Sequence, residues 1–443
     1  MKKAELLSPA GTYRNMRYAF AYGADAVYAG QPRYSLRVRE NDFKNEETLA
    51  AGIAEAHRLG KQFFLASNLA PHNNKVRTYL RDLAPIIAME PDALIMSDPG
   101  LIMMVREKWP EMPIHLSVQA NAVNYATVRF WQKMGLTRII LSRELSLDEI
   151  REIRQECPDI ELEVFVHGAL CIAYSGRCLL SGYMTHRDSN QGACTNSCRW
   201  KYTATPATET DTGDVLPLHN AAQADKPLFL LEEKNRPGEL MPAYEDEHGT
   251  YIMNSKDLRA VQHVAALMEM GIDCLKIEGR TKSHYYTART TQVYRQAIDD
   301  AAAGKPFDMG LMDVLEGLAN RGYTEGFYRR HPPGEYQNYE RSFSRSDRQQ
   351  FVGEVLDYDD RQGLLRVAVK NRFACGDRLQ LMTPGGNVDL VLTDMLDSKG
   401  QRKEIAPGSG HEVLIPVPLR QEQQQGIEFG LLVKYLPREP KAA

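Results

Sequence analysis

From residue 1 to about 335 the chain repeats one rhythm: a short apolar, β-rich run ending in small or polar residues, then a longer stretch of helical periodicity. Ala4–Leu7 runs into Ser8-Pro9-Ala10-Gly11, and Tyr13–Tyr22 has a helical pattern. Ala26–Ala29 ends at Gly30-Gln31, Gln62–Ala66 at Ser67-Asn68, and Ala93–Met96 at Ser97-Asp98-Pro99-Gly100. Ile114–Val118 ends at Gln119-Ala120-Asn121, Arg138–Leu141 at Ser142-Arg143-Glu144, Leu162–Val166 at His167-Gly168, and Cys274–Ile277 at Glu278-Gly279-Arg280. Runs without polar alternation are what parallel strands buried on both faces look like. Eight of them alternating with helices predict an α/β fold, a (β/α)8 TIM-like barrel. An open doubly wound sheet is the alternative, but no GxGxxG follows the first strand, which argues against a dinucleotide-binding sheet.

Two long connections break the rhythm. Residues 30–60 carry Tyr34, Arg37, Arg39 and Asn41, and residues 168–250 carry a cysteine cluster followed by an acidic, proline-containing stretch at 231–249. Connections this long within a barrel are usually functional. Segment 321–350, with six arginines against four acids and Pro332-Pro333-Gly334, has the texture of a linker. Beyond it the pattern switches to short alternating runs, Phe351–Leu356, Leu364–Val369, Asp377–Met382, Val388–Leu392, Val413–Val417 and Leu431–Tyr435, separated by Gly/Asp/Asn turns. These predict a small antiparallel β-barrel. The expected organisation is a barrel over 1–335 with the cysteine loop at 168–200, a linker at 336–350, and a β-domain over 351–443.

Composition narrows the class. With 443 residues, 43% hydrophobic and 25% charged, the chain is that of a globular protein and not a disordered one. Net charge is −4, so any nucleic-acid binding has to use a local patch. Neither an h-region after Met1-Lys2-Lys3 nor an 18-residue apolar window occurs, so a cytoplasmic protein without a membrane span is expected.

Four of the seven cysteines, Cys171, Cys178, Cys194 and Cys198, lie in one stretch with spacing C-x6-C-x15-C-x3-C. Thiolates are soft ligands suited to iron–sulfur clusters and to zinc. Zinc favours C-x2-4-C pairs, which only Cys194–Cys198 forms, and Lys201 stands where a CxxxCxxC motif would place its third cysteine. Buried or incidental thiols are the other reading, and it suits Cys157, Cys274 and Cys375, each alone in a helical or strand pattern.

Residues 163–181 read E-V-F-V-H-G-A-L-C-I-A-Y-S-G-R-C-L-L-S. They resemble the signature of a collagenase-like family catalogued as peptidases, E-x-F-x-x-G-[SA]-[LIVM]-C, four residues, G-x-C-x-[LIVM]-S, at every fixed position. The resemblance continues through N-Q-G-A-C-T-N-S-C-R at 190–199, L-L-S-P-A-G at 6–11, N-S-K-D-L at 254–258 and K-I-E-G-R at 276–280, and so spans essentially the whole chain. It is strongest to the branch of that family that makes 5-hydroxyuridine at the wobble position of tRNA and depends on prephenate. The resemblance implies an iron–sulfur cluster, of the 4Fe-4S type, held by Cys171, Cys178, Cys194 and Cys198, with prephenate as cosubstrate and the tRNA anticodon loop as partner. Peptidase activity, or a non-catalytic Fe–S scaffold or RNA-binding role, are the competing readings. No HExxH or GxSxG occurs, and a Cys171/His167 pair is incompatible with Cys171 as a cluster ligand.

Prephenate carries two carboxylates, which arginine binds bidentately. At the expected mouth Arg37, Arg143 and Arg280 are the leading candidates, with Arg39, Arg177 and Lys276 behind them; pairing with Glu144 or Glu278 is the plainer alternative. His167 and Glu278 are the candidates for moving a proton. Gln119, Asn121 and Asn68 suit the hydrogen-bonding edge of uracil, or buried loop backbone, while Asp98 suits a turn. Segment 276–296, with five cations against one acid, and segment 177–201, with four against one, are candidate basic rims or solvated faces. Tyr174, Trp200, Tyr285 and Tyr286 are candidate stacking platforms for an unpaired base, or packing aromatics.

Overall fold

Strands β1 (Glu5–Pro9), β2 (Ala26–Gly30), β3 (Gln62–Ser67), β4 (Ala93–Met96), β5 (Ile114–Leu116), β6 (Arg138–Ile140), β7 (Glu161–Ala169) and β8 (Cys274–Ile277) are the eight expected strands. Each pairs in parallel with the next, and β8 pairs with both β7 and β1, with Leu275 level with Val164 on one side and Leu6 on the other. The ring is therefore closed: a (β/α)8 barrel, not an open sheet. The computed structural model describes residues 1–36, 42–170, 195, 197, 202–209, 215–217, 228–233, 240–246, 249–250, 256–320, 322–329 and 348–436.

Local chemistry sets the helix starts that follow the strands. Thr12 caps the helix Tyr13–Ala21 through the Asn15 amide, and Asp98 caps Pro99–Lys108 through the Leu101 amide. The turn expected at Asp98 is thus a helix N-cap, where a carboxylate accepts one of the four unpaired amides of the first turn. Ser146 and Glu149 form a reciprocal capping box at Leu147–Glu156. Glycine is needed where the ring closes: a Cβ on Gly11 would meet the Arg280 carbonyl oxygen at 1.7 Å.

The barrel interior is charged. The Glu163 carboxylate has no solvent exposure; it accepts from Lys276 Nζ at 2.7 Å and lies 3.4 Å from Arg138 Nη1. Arg138 also pairs with Glu5 at 2.7 Å and Glu161 at 2.8 Å. Aromatic rings complete the enclosure: the Lys276 ammonium lies over Tyr28 at 4.4 Å and over Phe165 at 5.3 Å, and the Arg138 guanidinium over Phe64 at 5.3 Å. Burial pulls the Lys276 ammonium below its ordinary pKa, and the Glu163 charge opposes that pull.

Between β7 and β8 the chain leaves the barrel. Tyr202–Glu209, Val215–Pro217, Leu228–Glu233, Leu240–Asp246 and Gly249–Thr250 form a separate antiparallel sheet in a region expected to be loop. The strand Asp257–Arg259 then returns antiparallel to the end of β7. Further on, Gln349–Asp359 opens a seven-stranded antiparallel sheet that curls as a half-barrel around Val352, Val367, Leu379, Ile415 and Leu432. The alternation is clear in Leu364–Val369, where Leu365, Val367 and Val369 are buried and Arg366 is exposed. No helix among the described residues is long and apolar enough to cross a membrane.

The two parts dock through the helices Tyr13–Ala21 and His284–Ala302. The Tyr22 hydroxyl lies 3.2 Å from the Met382 carbonyl oxygen and 3.0 Å from that of Phe429. Arg289 is fully buried and donates to Gln380 at 2.6 Å, while Arg14, His284 and Lys370 converge on Glu354 at 2.7, 2.9 and 3.2 Å.

Glu163→Met keeps the side chain's length but leaves Lys276 and Arg138 facing each other without the shared carboxylate. Breaking a buried pair in this way costs about 3–5 kcal/mol. Urea unfolding should show that loss, and Glu163→Met with Lys276→Met together should recover part of it.

Candidate active site at the barrel mouth

In barrels of this kind the chemistry sits at the C-terminal ends of the strands. Here the ends of β3, β5 and β6 bring a cluster of amides and hydroxyls together. Asn68 is buried; its Nδ2 donates to Gln119 Oε1 at 2.9 Å and lies 3.2 Å from Ser117 Oγ, and its Oδ1 accepts from the Leu36 amide at 3.2 Å. Ser117 Oγ also donates to Gln119 Oε1. The Gln119 amide nitrogen is left without a partner among the described residues. Asn121 stands next to it in a left-handed backbone conformation (φ 53°) and donates its Nδ2 to the Gln119 carbonyl at 3.0 Å. Gln119, Asn121 and Asn68 are thus assembled in one place.

The arginines separate. The Arg143 guanidinium lies over the Phe165 ring, 3.8 Å from its centroid, and makes no hydrogen bond or ion pair among the described residues. The neighbouring Glu144 takes the Ser142 hydroxyl instead. Arg280 is committed to the chain after β2, donating to Ser35 Oγ at 2.9 Å and the Leu36 carbonyl at 3.0 Å. Lys276 is held inside the barrel on Glu163. Arg37, Arg39 and Arg177 lie outside the described residues, as do Cys171, Cys178, Cys194, Cys198, Tyr174 and Trp200. Between the last two cysteines, the Thr195 and Ser197 hydroxyls share a hydrogen bond at 2.7 Å. Cys157, Cys274 and Cys375 are free thiols; Cys157 and Cys375 approach backbone carbonyls at 3.6 Å, and Cys274 is fully buried in the barrel.

His167 is turned away from the mouth. Along the β7–β8 ladder Lys276 is level with Phe165, but Ile277 is level with His167, so β7 carries one extra residue and its alternation resets. Phe165 stays inside the ring, and the imidazole packs among Tyr323, Tyr294 and Tyr286 with ring centroids at 5.4, 5.6 and 5.8 Å. Its Nε2 has no hydrogen-bond partner among the described residues, and Nδ1 is 3.4 Å from the Tyr294 hydroxyl. Burial lowers its pKa to about 3, so it is neutral at physiological pH. Glu278 bridges the ends of two strands: its carboxylate accepts from the Ala169 amide at 3.2 Å and its carbonyl accepts from the Tyr286 hydroxyl at 2.8 Å. Gly168 (φ 109°) permits that approach, since a Cβ there would meet the Glu278 carbonyl oxygen at 2.6 Å.

Four of the five cations of 276–296 are engaged elsewhere, Arg280 with Ser35 and Leu36. Lys276 and Arg289 are buried, and Arg295 is paired with Asp25 and Asp299, both at 3.0 Å. Tyr286 is core, and Tyr285 stacks on Phe351 at 5.3 Å. Sequence reasoning passed over Gln31, which directly follows β2, is fully buried, and has neither amide atom partnered among the described residues. It also passed over Phe165 as the platform for Arg143. The available signals were Gln31's place at a strand end and Phe165's fixed position in the family signature.

Residues 11–338 match the profile of peptidase family U32, and residues 347–427 match that of the peptidase family U32 C-terminal domain. The chain belongs to peptidase family U32. Among its relatives is the tRNA hydroxylation protein P of Escherichia coli K12, 63% identical over 98% of this chain and 97% of that protein. The tRNA hydroxylation protein P of Haemophilus influenzae is 61% identical over 98% of this chain and 96% of that protein. The Escherichia coli 23S rRNA 5-hydroxycytidine C2501 synthase is 30% identical over 93% of this chain and 53% of that protein.

A histidine buried as neutral imidazole loses stability in acid, because the unfolded chain gains a proton there that the folded one does not. The contribution is complete above pH 6.5 and is lost as pH falls toward about 3, at about 1.4 kcal/mol per pH unit. Thermal or urea unfolding between pH 6.5 and 4 should therefore be less pH-dependent in His167→Gln than in the parent protein, while the activity profile should show no ionisation of His167 near pH 6.5.

Proposed function

We propose that this protein is a tRNA-modifying enzyme that hydroxylates C5 of the wobble uridine in the anticodon to 5-hydroxyuridine, dependent on prephenate and an iron–sulfur cluster. The observation that carries this reading is the near end-to-end identity of 63% with a protein named for tRNA hydroxylation. The 23S rRNA relative, named for a 5-hydroxycytidine product, supports the same reaction class on a second pyrimidine.

In this reading a flipped base enters the barrel mouth, since an enzyme that acts on a base must take it out of its stack. The Gln119 amide nitrogen and Asn121 offer donors and acceptors to the uracil edge, with Asn68 and Ser117 fixing the orientation of Gln119. Arg143, held over the Phe165 ring and without an ion pair among the described residues, takes one prephenate carboxylate as a bidentate partner. Arg37 is the candidate for the second, and Arg280 orders the segment that leads to Arg37. Glu278 is the remaining candidate for accepting a proton, because the His167 imidazole is enclosed among three tyrosine rings and, with its pKa lowered to about 3, is a weak base. Cys171, Cys178, Cys194 and Cys198 are a donor set suited to a 4Fe-4S cluster, and such a cluster would supply one-electron chemistry. The collagenase-like peptidase reading would need His167 beside Cys171, but that imidazole is packed among three tyrosine rings.

Mass analysis of tRNA from cells lacking the gene should show plain uridine where 5-hydroxyuridine stands in the parent strain. Unchanged tRNA would overturn the reading. Arg143→Lys should weaken prephenate binding by about 1.5–3 kcal/mol, roughly 10- to 100-fold, without loss of fold, because an ammonium lacks the planar fork. Cys171→Ala, Cys178→Ala and Cys194→Ala should each bleach the brown colour of anaerobically purified protein.

A further inference from the structure

Two cavities adjoin where the barrel meets the half-barrel, one of about 570 Å³ and one of about 750 Å³. Gln349 and Leu436 line both, so they form one groove. The smaller cavity begins at Lys282 and Ser283, just past the end of β8. The Tyr286 ring there is anchored by its hydroxyl to the Glu278 carbonyl, at the rim of the mouth. The larger cavity ends on the half-barrel, at Arg378 and Lys434.

The walls have the chemistry of a polyanion track. Among the described lining residues four are cations, Lys282, Arg348, Arg378 and Lys434, against two acids, Asp313 and Asp377, and Lys434 is paired with Asp377 at 2.7 Å. This local excess of positive charge stands out in a chain of net charge −4. Arg378 is exposed, lies over the Tyr435 ring at 5.4 Å, and forms no ion pair among the described residues. Arg348 pairs with Asp313 at 2.9 Å, but both are well exposed, and such surface pairs exchange readily for a stronger anion. Between the cations, the exposed amides of Gln350 and Asn371 and the stacked Tyr285–Phe351 pair supply neutral donors and aromatic surface. Cations spaced along a groove, with amides and rings between them, match a sugar–phosphate backbone better than a peptide.

We infer that this groove, lined by Arg348 and Arg378 and running from the barrel mouth onto the half-barrel, binds the RNA backbone on either side of the nucleotide whose base enters the mouth. The inference rests on the RNA-modifying reading and adds to it where the RNA lies. The half-barrel then serves to grip substrate, and the docking of the two parts sets the distance between grip and mouth.

The test is tRNA binding and modification by Arg348→Glu/Arg378→Glu, with Lys399→Glu as a control. Lys399 is exposed on the same part of the protein but does not line the groove. The double variant should bind tRNA at least tenfold more weakly, and its log–log salt dependence should be shallower by about 0.7–0.9 for each phosphate it no longer neutralises. KM for tRNA should rise while turnover at saturating tRNA stays at the parent value, and prephenate affinity should not move. Arg348→Gln/Arg378→Gln should show a smaller loss in the same direction, which covers the case in which charge reversal disturbs the fold. If the double variant matches the parent protein, or loses no more than Lys399→Glu, the groove is not the RNA track, although the parent still modifies tRNA. If the parent neither binds nor modifies tRNA, the RNA-modifying reading itself fails.

Discussion

A carboxylate without water has to be neutralised where it stands, and in this barrel that demand falls on Glu163. Lys276 and Arg138 answer it from the neighbouring strands β8 and β6, and Arg138 carries the network on to Glu5 and Glu161. Because the partners sit on different strands, the charges are balanced only when the ring is closed in the right register. A shift of one residue would send Glu163 or Lys276 to the other face of its strand. The ring that this pairing closes is also the scaffold on which Phe165 holds Arg143, two residues along β7 from Glu163.

The contact between barrel and half-barrel has a different character. It combines a small apolar patch around Tyr18, Tyr22, Met382 and Leu431 with polar anchors, the buried Arg289 on Gln380, and Arg14, His284 and Lys370 on the buried Glu354. The Glu354 carboxyl is held at about 2; burial works against this, and the hydrogen bonds from His284 and Arg14 prevail. Directional anchors of this type fix orientation, which an apolar patch alone does not.

The barrel was legible because its strands are short, mostly apolar runs between helical stretches, and the half-barrel because strands such as Leu364–Val369 and Glu412–Pro416 alternate. The sheet between β7 and β8 was not: runs such as Tyr202–Glu209, with its threonines and Pro206, look like loop until they are paired with Leu228–Glu233. The mouth was legible as a set of strand ends, which is how Gln119, Asn121 and Asn68 were found. What local sequence does not carry is commitment. Arg143 and Arg280 stand in similar contexts beside glutamates, yet the three-dimensional path of residues 35–36 occupies Arg280, while Arg143 makes no hydrogen bond or ion pair among the described residues. Nor does local sequence reveal the extra residue in β7 that turns His167 outward, because a bulge shows itself only against the partner strand.

The closure of the ring also governs how the chain comes to be folded. Strands β1 to β7 can pair in order as they are made, since each needs only its predecessor. The last strand must wait: β8 begins at Cys274, more than a hundred residues after β7 ends, and it pairs at once with β7 and with β1 at the far end of the chain, Leu6 against Leu275. Contacts this distant in sequence are slow to form, because the entropy of closing the loop comes before any gain from pairing. At a synthesis rate of roughly 5–20 residues per second, an incomplete sheet with two open edges exists for several seconds on the ribosome. During that interval Glu163 has Arg138 of β6 but not Lys276 of β8, so the charge balance of the closed ring is completed only when the last strand is in place.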